Sequence, residues 1–240
     1  MNQYFQFKQF TIQQQKCAMK VCTDACVFGA WVAQLESKRS NQQTGNALDI
    51  GTGTGLLSLM LAQQTAYNIQ AIDIDEQATV QAKENFLSSP WSNRLTALQQ
   101  DFLQYHAVDT FDVVLSNPPF YEKDLRSPNK QINLARHDTG LTLLQLMQGV
   151  YNTLSDDGRF YLLMPFNRHQ EILSASAAVG LYCSELVAVK ATDQHPVFRK
   201  MYQFFKYDRH AFQSKQLSIK QEQNYTSEAT ALLQPYYLFL

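Results

Sequence analysis

Asn117-Pro118-Pro119-Phe120 is the segment of this sequence with the plainest chemical use. It follows Phe111-Asp112-Val113-Val114-Leu115-Ser116, an apolar run that reads as a buried strand. Proline has no N–H to give to a ladder, so the strand must stop there. The four residues can instead hold a planar group that carries an NH2. The Asn117 side-chain oxygen and the Pro118 carbonyl can each accept one amine hydrogen, while Phe120 lies flat against the ring. Such a grip aims a nitrogen lone pair, which suits transfer of a group onto an amine.

A second constellation lies upstream. Asp49-Ile50-Gly51-Thr52-Gly53-Thr54-Gly55 follows the short apolar run Leu48-Asp49-Ile50 and opens a helix-like stretch. Glycines at this position permit a tight turn and close backbone approach to a ligand. Ligands of open α/β sheets bind outside the carboxyl ends of the strands. A lone glycine pattern of this kind fits NAD, FAD or S-adenosylmethionine. Asp73, about twenty residues on, ends the next strand, where a carboxylate can bind both ribose hydroxyls. Asp101 ends the third strand and can accept from an adenine amine. Asp49, ahead of the glycines, can organise the loop near a cationic group. With the amine grip on the fourth strand, these positions favour S-adenosylmethionine, since hydride transfer has no use for such a grip. The bland reading of Asp73 and Asp101 is that they form strand-end turns.

The elements that must position these residues are strands and helices in alternation. Strands are expected at 48–50, 69–72, 95–98, 111–115, 160–164, 186–189 and 199–207. Helices are expected from Leu56, from Asp75-Glu76, over 141–154 and over 172–179, with a turn at Asp156-Asp157-Gly158. Acidic residues favour a helix start, as at Asp75-Glu76. Alternation of this kind predicts a doubly covered, mainly parallel sheet with right-handed crossovers. Residues 1–44 read as a basic N-terminal arm that covers substrate or cofactor, followed by a catalytic domain over 45–240. The polar stretch 121–139 follows the amine grip, where a substrate loop belongs.

The length of 240 residues and an apolar fraction of 45% suit one sizeable globular domain. No apolar run approaches the roughly 20 residues of a membrane helix, and the start lacks the pattern of a secretion signal. A cytoplasmic protein is expected. Cys17, Cys22, Cys26 and Cys183 have neither the spacing of a zinc site nor that of a disulfide framework, so free thiols and no metal are expected. The net charge of −1 excludes a polyanion-binding protein built on overall charge alone. Between 190 and 220, however, Lys190, Arg199, Lys200, Lys206, Arg209, Lys215 and Lys220 outnumber Asp193 and Asp208. That basic stretch reads equally as solvated surface or as a nucleic-acid patch.

Residues 45–207 resemble the class I S-adenosylmethionine-dependent methyltransferases, and Asn117-Pro118-Pro119-Phe120 resembles their signature for planar amines. Three N-terminal segments narrow the resemblance: Phe7-Lys8-Gln9-Phe10-Thr11-Ile12, Cys17-Ala18-Met19-Lys20-Val21 with Thr23-Asp24-Ala25, and Gly29-Ala30-Trp31. Together with Ala135-Arg136-His137 they are similar to the bacterial tRNA1(Val) (adenine(37)-N6)-methyltransferase family over nearly the whole chain. That family usually has glycine where this chain has Cys22 and Cys26, which puts the backbone of the arm in question. The resemblance implies a Rossmann-like α/β fold with a seven-stranded, mainly parallel sheet, its last strand antiparallel, and helices on both faces.

It further implies methylation of N6 of the adenosine 3′ of the tRNA anticodon. Asn117, Pro118, Pro119 and Phe120 would be the catalytic residues. Asp49, Gly51, Gly53, Gly55, Asp73, Asp101 and Asn117 would hold the cofactor. Phe120, Tyr121, Lys20, Arg136 and His137 would contact the anticodon loop of tRNA1(Val). Tyr121 reads equally as packing, and Arg136 and His137 equally as a helix cap and a core histidine. Guanine N2 of ribosomal RNA, a protein glutamine side chain, and a binding module without catalysis are the competing readings.

Overall fold

The computed structural model describes residues 2–39, 44–118, 141–208 and 211–240. The chain opens with β1 (Tyr4–Gln6) and β2 (Thr11–Gln13), an antiparallel pair, and then α1 (Thr23–Arg39). There follow β3 (Asn46–Ile50), α2 (Leu56–Gln64), β4 (Asn68–Asp73), α3 (Glu76–Leu87), β5 (Leu95–Gln99) and β6 (Phe111–Ser116). Beyond residue 140 come α4 (Leu143–Thr153), β7 (Leu154–Pro165), α5 (His169–Val179), β8 (Tyr182–Thr192), β9 (Val197–Phe205), β10 (Gln213–Gln221), β11 (Asn224–Tyr225) and α6 (Ser227–Leu233).

Nine of these strands form one sheet in the order β11-β10-β8-β9-β7-β6-β3-β4-β5. β3 to β7 run parallel. β9 is antiparallel to both neighbours, β7 and β8. The class of fold is therefore the expected one, with helices on both faces. The seventh strand of the sheet in chain order, β9, is antiparallel as expected, but nine strands stand where seven are expected. The antiparallel strand lies inside the sheet, and β10 extends it in parallel with β8 before the short antiparallel β11. β10, Gln213-Ser214-Lys215-Gln216-Leu217-Ser218-Ile219-Lys220-Gln221, buries few apolar side chains, Leu217 and Ile219, so little in it signals a strand. The expected turn at Asp156-Asp157-Gly158 is a bulge within β7. Leu154 pairs with Phe111 and Arg159 with Val113, so the intervening residues loop out of the ladder.

Two apolar layers cover the sheet, and the period-2 alternation of the strands feeds both. Val113, Leu115, Tyr161, Leu163 and Met201 face the layer made with α1, α2, α3 and α6. Val114, Phe160, Leu162, Met164, Tyr202 and Phe204 face the layer made with α4 and α5. Helix α1 is buried along Ala25–Ala33, and Cys26 lies within it. Burial pushes the Cys26 thiol up to about 12 and the Cys17 thiol up to about 11. All four cysteines are free. Among the described residues only Glu222 combines a side chain beyond glycine with positive φ, so neither Cys22 nor Cys26 is strained by the departure from glycine. No helix among the described residues is long and apolar enough to cross a membrane.

The amino edge of the sheet is closed by a buried charge. Glu36, fully buried in α1, accepts from Tyr67 Oη at 2.8 Å, Tyr161 Oη at 2.5 Å, and Arg159 Nε and Nη2 at 3.1 and 2.7 Å. Gln203 Nε2 donates onward to Tyr161 Oη at 2.7 Å. Burial and the Glu36 charge raise the Tyr161 pKa well above its ordinary value, so the phenol stays a donor. Every oxygen of this network has a partner, which is the condition under which a buried carboxylate is tolerated.

Candidate active site

At the opposite, carboxyl edge, β3 runs into a loop of three left-handed glycines. Gly51, Gly53 and Gly55 have φ of 71°, 55° and 81°. Gly51 N and Thr52 N donate to the Ile72 carbonyl at 2.9 and 3.1 Å, which fixes the loop to the end of β4. A Cβ on Gly55 would strike the Phe86 ring at 2.5 Å, whereas one on Gly51 or Gly53 would meet nothing within 4 Å. The loop is thus packed from behind at Gly55 and open above Gly51 and Gly53, where backbone can approach a ligand.

Asp49 lies under this loop and is completely buried. Its Oδ2 accepts from Thr52 Oγ1 and Ser58 Oγ, each at 2.7 Å, while Oδ1 is buried with no partner. Burial pushes its pKa up to about 6, against the lowering effect of the two hydroxyls. Asp73, at the end of β4, accepts from Gly53 N at 2.8 Å through Oδ2 and from Asp75 N at 3.0 Å through Oδ1. Burial raises its pKa as well. Asp75 caps α3, accepting from Gln77 N and Ala78 N, as acids at a helix start do. Between the two acids Ile74 is 67% exposed, an apolar side chain at the mouth of the loop.

Asp101 follows β5 and accepts from Leu103 N at 2.9 Å, opening the short 3-10 turn Phe102–Gln104. This is the strand-end turn role, and it leaves the carboxylate at the carboxyl edge. Asn117 follows β6, whose Ser116 pairs with Ile50 and donates Oγ to the Ile50 carbonyl at 2.8 Å. Asn117 is therefore the next residue out from the start of the glycine loop, one strand over. Its Oδ1 is buried without a partner. An unmatched buried acceptor costs about 1–3 kcal/mol. Asp49 Oδ1 and Asn117 Oδ1 are both in that condition, at the ends of adjacent strands, and both are acceptors. They match a ligand that brings donors: an amine at Asn117 and a donor-rich or cationic group at Asp49.

The N-terminal segment reaches this edge. Lys20 Nζ donates to the Gln14 and Cys17 carbonyls, closing its own turn. Asp73 and Asp75 lie near enough to Cys17 to add to the burial that raises its thiol pKa. Asn85, buried in α3, joins segment and loop. Its Oδ1 accepts from Gln13 N at 2.9 Å, and its Nδ2 donates to the Gln13 and Thr54 carbonyls at 2.9 and 2.8 Å. Lys16 N donates to Gln81 Oε1 at 3.2 Å and Lys16 Nζ pairs with Glu84, from the same helix.

The structure thus gathers Asp49, Gly51, Gly53, Gly55, Asp73, Asp101, Asn117 and Pro118 along one sheet edge. Pro119, Phe120, Tyr121, Arg136 and His137 lie outside the described residues. Sequence reasoning missed Thr52 and Ser58 as partners of Asp49, Ile74 at the mouth, and Asn85 as the tie. Asn85 had one legible signal: an amide on the face of α3 that also carries Ala78, Ala82 and Phe86 needs buried partners.

A family model described as "Methyltransferase small domain" matches residues 21–171. In overall shape the chain is similar to a predicted O-methyltransferase from Agrobacterium tumefaciens, with a TM-score of 0.66 and 15% identity, over 88% of this chain and 95% of the other. That likeness establishes the fold, the class I methyltransferase fold. Sequence relatives reach further. A tRNA1(Val) (adenine(37)-N6)-methyltransferase of Bacteroides thetaiotaomicron is 39% identical over 100% of this chain and 99% of its own length. The protein of the same name from Bacteroides fragilis is 37% identical over 98% of each. Identity of this extent, spanning the N-terminal segment as well as the glycine loop and Asn117, makes the chain a member of the tRNA1(Val) (adenine(37)-N6)-methyltransferase family.

Proposed function

We propose that this chain methylates N6 of adenosine 37, in the anticodon loop of tRNA1(Val), with S-adenosylmethionine as donor. One observation carries the reading: a buried, unpartnered Asn117 Oδ1 stands beside a glycine loop whose own acid, Asp49, has a buried unpartnered oxygen. The relatives named above supply the substrate.

The residues present fit the cofactor. The open backbone at Gly51 and Gly53 takes its close approach, with Gly55 ending the turn. Asp73 receives the ribose hydroxyls, Asp101 the adenine amine, and Ile74 an apolar ring face. Asp49 balances the positive charge of the methionine part. S-adenosylmethionine supplies a methyl group on a positively charged sulfur, a good leaving group, so no metal is required.

The chain's own work is positioning. The N6 lone pair of adenine is delocalised into the ring and is a poor nucleophile. Asn117 Oδ1 and the Pro118 carbonyl accept its two hydrogens and favour a pyramidal nitrogen, while Phe120 holds the ring flat. Alignment of this kind lowers a barrier by several kcal/mol. The methylated nitrogen is acidic enough to release its proton to water, so no side-chain base is needed. Extruding a base from a single-stranded loop costs less than from a duplex. Tyr121, Arg136 and His137, with the third donor of Lys20, serve the surrounding RNA. Residues 1–44 cover the cofactor side, and the enzyme acts in the cytoplasm, where tRNA is found.

Incubating the chain with methyl-labelled S-adenosylmethionine and either total tRNA or ribosomes tests this. N6-methyladenosine in tRNA nucleosides is the expected product. Label confined to ribosomal RNA or to protein would overturn the assignment.

A further inference from the structure

The carboxyl edge continues past the amine grip onto β7, β9 and β8, and it carries features the grip does not use. Phe166 follows Pro165 at the end of β7 and opens the 3-10 turn Phe166–Arg168 that leads into α5. It is 51% exposed. Since Ser116 pairs with Leu162, Asn117 is level with Leu163, and Phe166 stands one strand over and about 10 Å farther out. An aromatic ring turned to solvent beside a strand-end amine grip is unusual placement for packing.

The same rim is positively charged. Lys200 lies opposite Met164 in β9, at the level of the strand ends. It is half-buried, burial lowers its pKa, and among the described residues it has no carboxylate partner. Lys190, opposite Val197, donates to the Asp193 carbonyl at 3.3 Å and has no carboxylate partner among the described residues. Arg168 and Arg199 are held instead, by Glu171 and by Asp24. Behind the rim His169 Nδ1 lies 3.0 Å from Tyr202 Oη, with the rings stacked at 5.9 Å. Burial and the nearby Lys200 charge lower the His169 pKa, so the ring braces the turn as a neutral group. At the amino edge of these strands the cations are paired: Arg159 with Glu36, Lys206 with Asp156 and Lys215 with Glu185.

We propose that this rim binds the RNA strand that carries the target adenosine. Phe166 stacks a neighbouring base, and Lys200 and Lys190, on the next two strands, contact the backbone phosphates that run on from it. An exposed ring at the end of β7, followed across β9 and β8 by cations without carboxylate partners among the described residues, is the combination single-stranded nucleic acid requires, one part for the bases and one for the phosphates. The inference rests on the tRNA reading above and adds to it the surface on which the loop lies.

The test is equilibrium binding of the full chain to a tRNA1(Val) transcript over a series of salt concentrations, with cofactor affinity measured in parallel. Phe166→Ala is expected to weaken tRNA binding about 5- to 150-fold, the equivalent of about 1–3 kcal/mol for one stacked base, and Phe166→Trp to restore it. Lys200→Gln is expected to reduce the slope of log affinity against log salt by about 1, with Lys200→Arg retaining it. Cofactor affinity stays unchanged in all four, and Lys206→Gln, at the paired edge, leaves the slope as it is. Unchanged tRNA affinity and slope in Phe166→Ala and Lys200→Gln, beside a wild-type chain that binds tRNA, would overturn the rim alone. A wild-type chain that neither binds nor methylates tRNA would overturn the tRNA reading and the rim together.

Discussion

The amino and carboxyl edges of the same sheet treat buried polar atoms in opposite ways. At the amino edge Glu36 is wrapped by two phenols and a guanidinium, and a glutamine extends the network. At the carboxyl edge Asp49 and Asn117 each keep a buried oxygen without a partner. Both arrangements bury an acceptor, and only the first completes it from within the chain. A completed network holds a fold in one arrangement, whereas an incomplete one awaits donors from outside. The contrast separates residues that stabilise from residues that bind, although all of them are polar and buried.

Three experiments would break or sharpen that contrast. The largest effect is expected for Glu36→Ala, which leaves the Arg159 guanidinium buried without its carboxylate. The unfolding free energy should fall by about 3–5 kcal/mol, read by denaturant titration, with turnover per folded molecule retained. A variant as stable as the parent would mean that the amino-edge network is not structural.

Asn117→Ala should do the reverse. Turnover is expected to fall about 10²–10³-fold, or roughly 2.7–4 kcal/mol, the loss typical of one pre-placed polar group. Stability should hold, because the Oδ1 acceptor removed has no partner to lose. A lowered melting temperature with near-normal turnover would place Asn117 with the structural residues.

The smallest effect is graded in pH. The Asp49 carboxyl titrates at about 6 in the folded chain against an ordinary 3.8. The folded state therefore holds an extra proton between those values, and stability declines as pH rises from about 4 to about 6, by at most about 1.4 kcal/mol per pH unit. Cofactor affinity should move the other way and strengthen as Asp49 ionises. Asp49→Asn should flatten both profiles in this window. A variant whose melting temperature keeps the parent's slope between pH 4 and 6 would show that Asp49 is not the group responsible.

Much of this was legible in the residues themselves. The parallel sheet follows from short apolar runs that stop at Gly51, Asp73 and Asn117, because strand ends need residues that turn the chain or accept hydrogen bonds outside the ladder. Helix α1 was not legible, since Ala25–Ala33 is buried on all sides and shows no polar face to set a period. β10 was not legible for the opposite reason, an excess of polar residues on an edge. Within the site, residue type announced Asp49 and Asn117, but no sequence shows that one oxygen of each lacks a partner. The exposure of Phe166 was hidden too, because an aromatic after an apolar strand ordinarily continues the core.

Asn85 has a consequence for how this protein can be cut or recombined. The matched methyltransferase domain starts at residue 21, yet two of the three hydrogen bonds of Asn85 go to Gln13. A graft that began at residue 21 would strand a buried amide directly behind the glycine loop, next to Thr54. The boundary drawn by family similarity and the boundary of the mechanically intact catalytic unit are different places on the chain, and the second begins before residue 13.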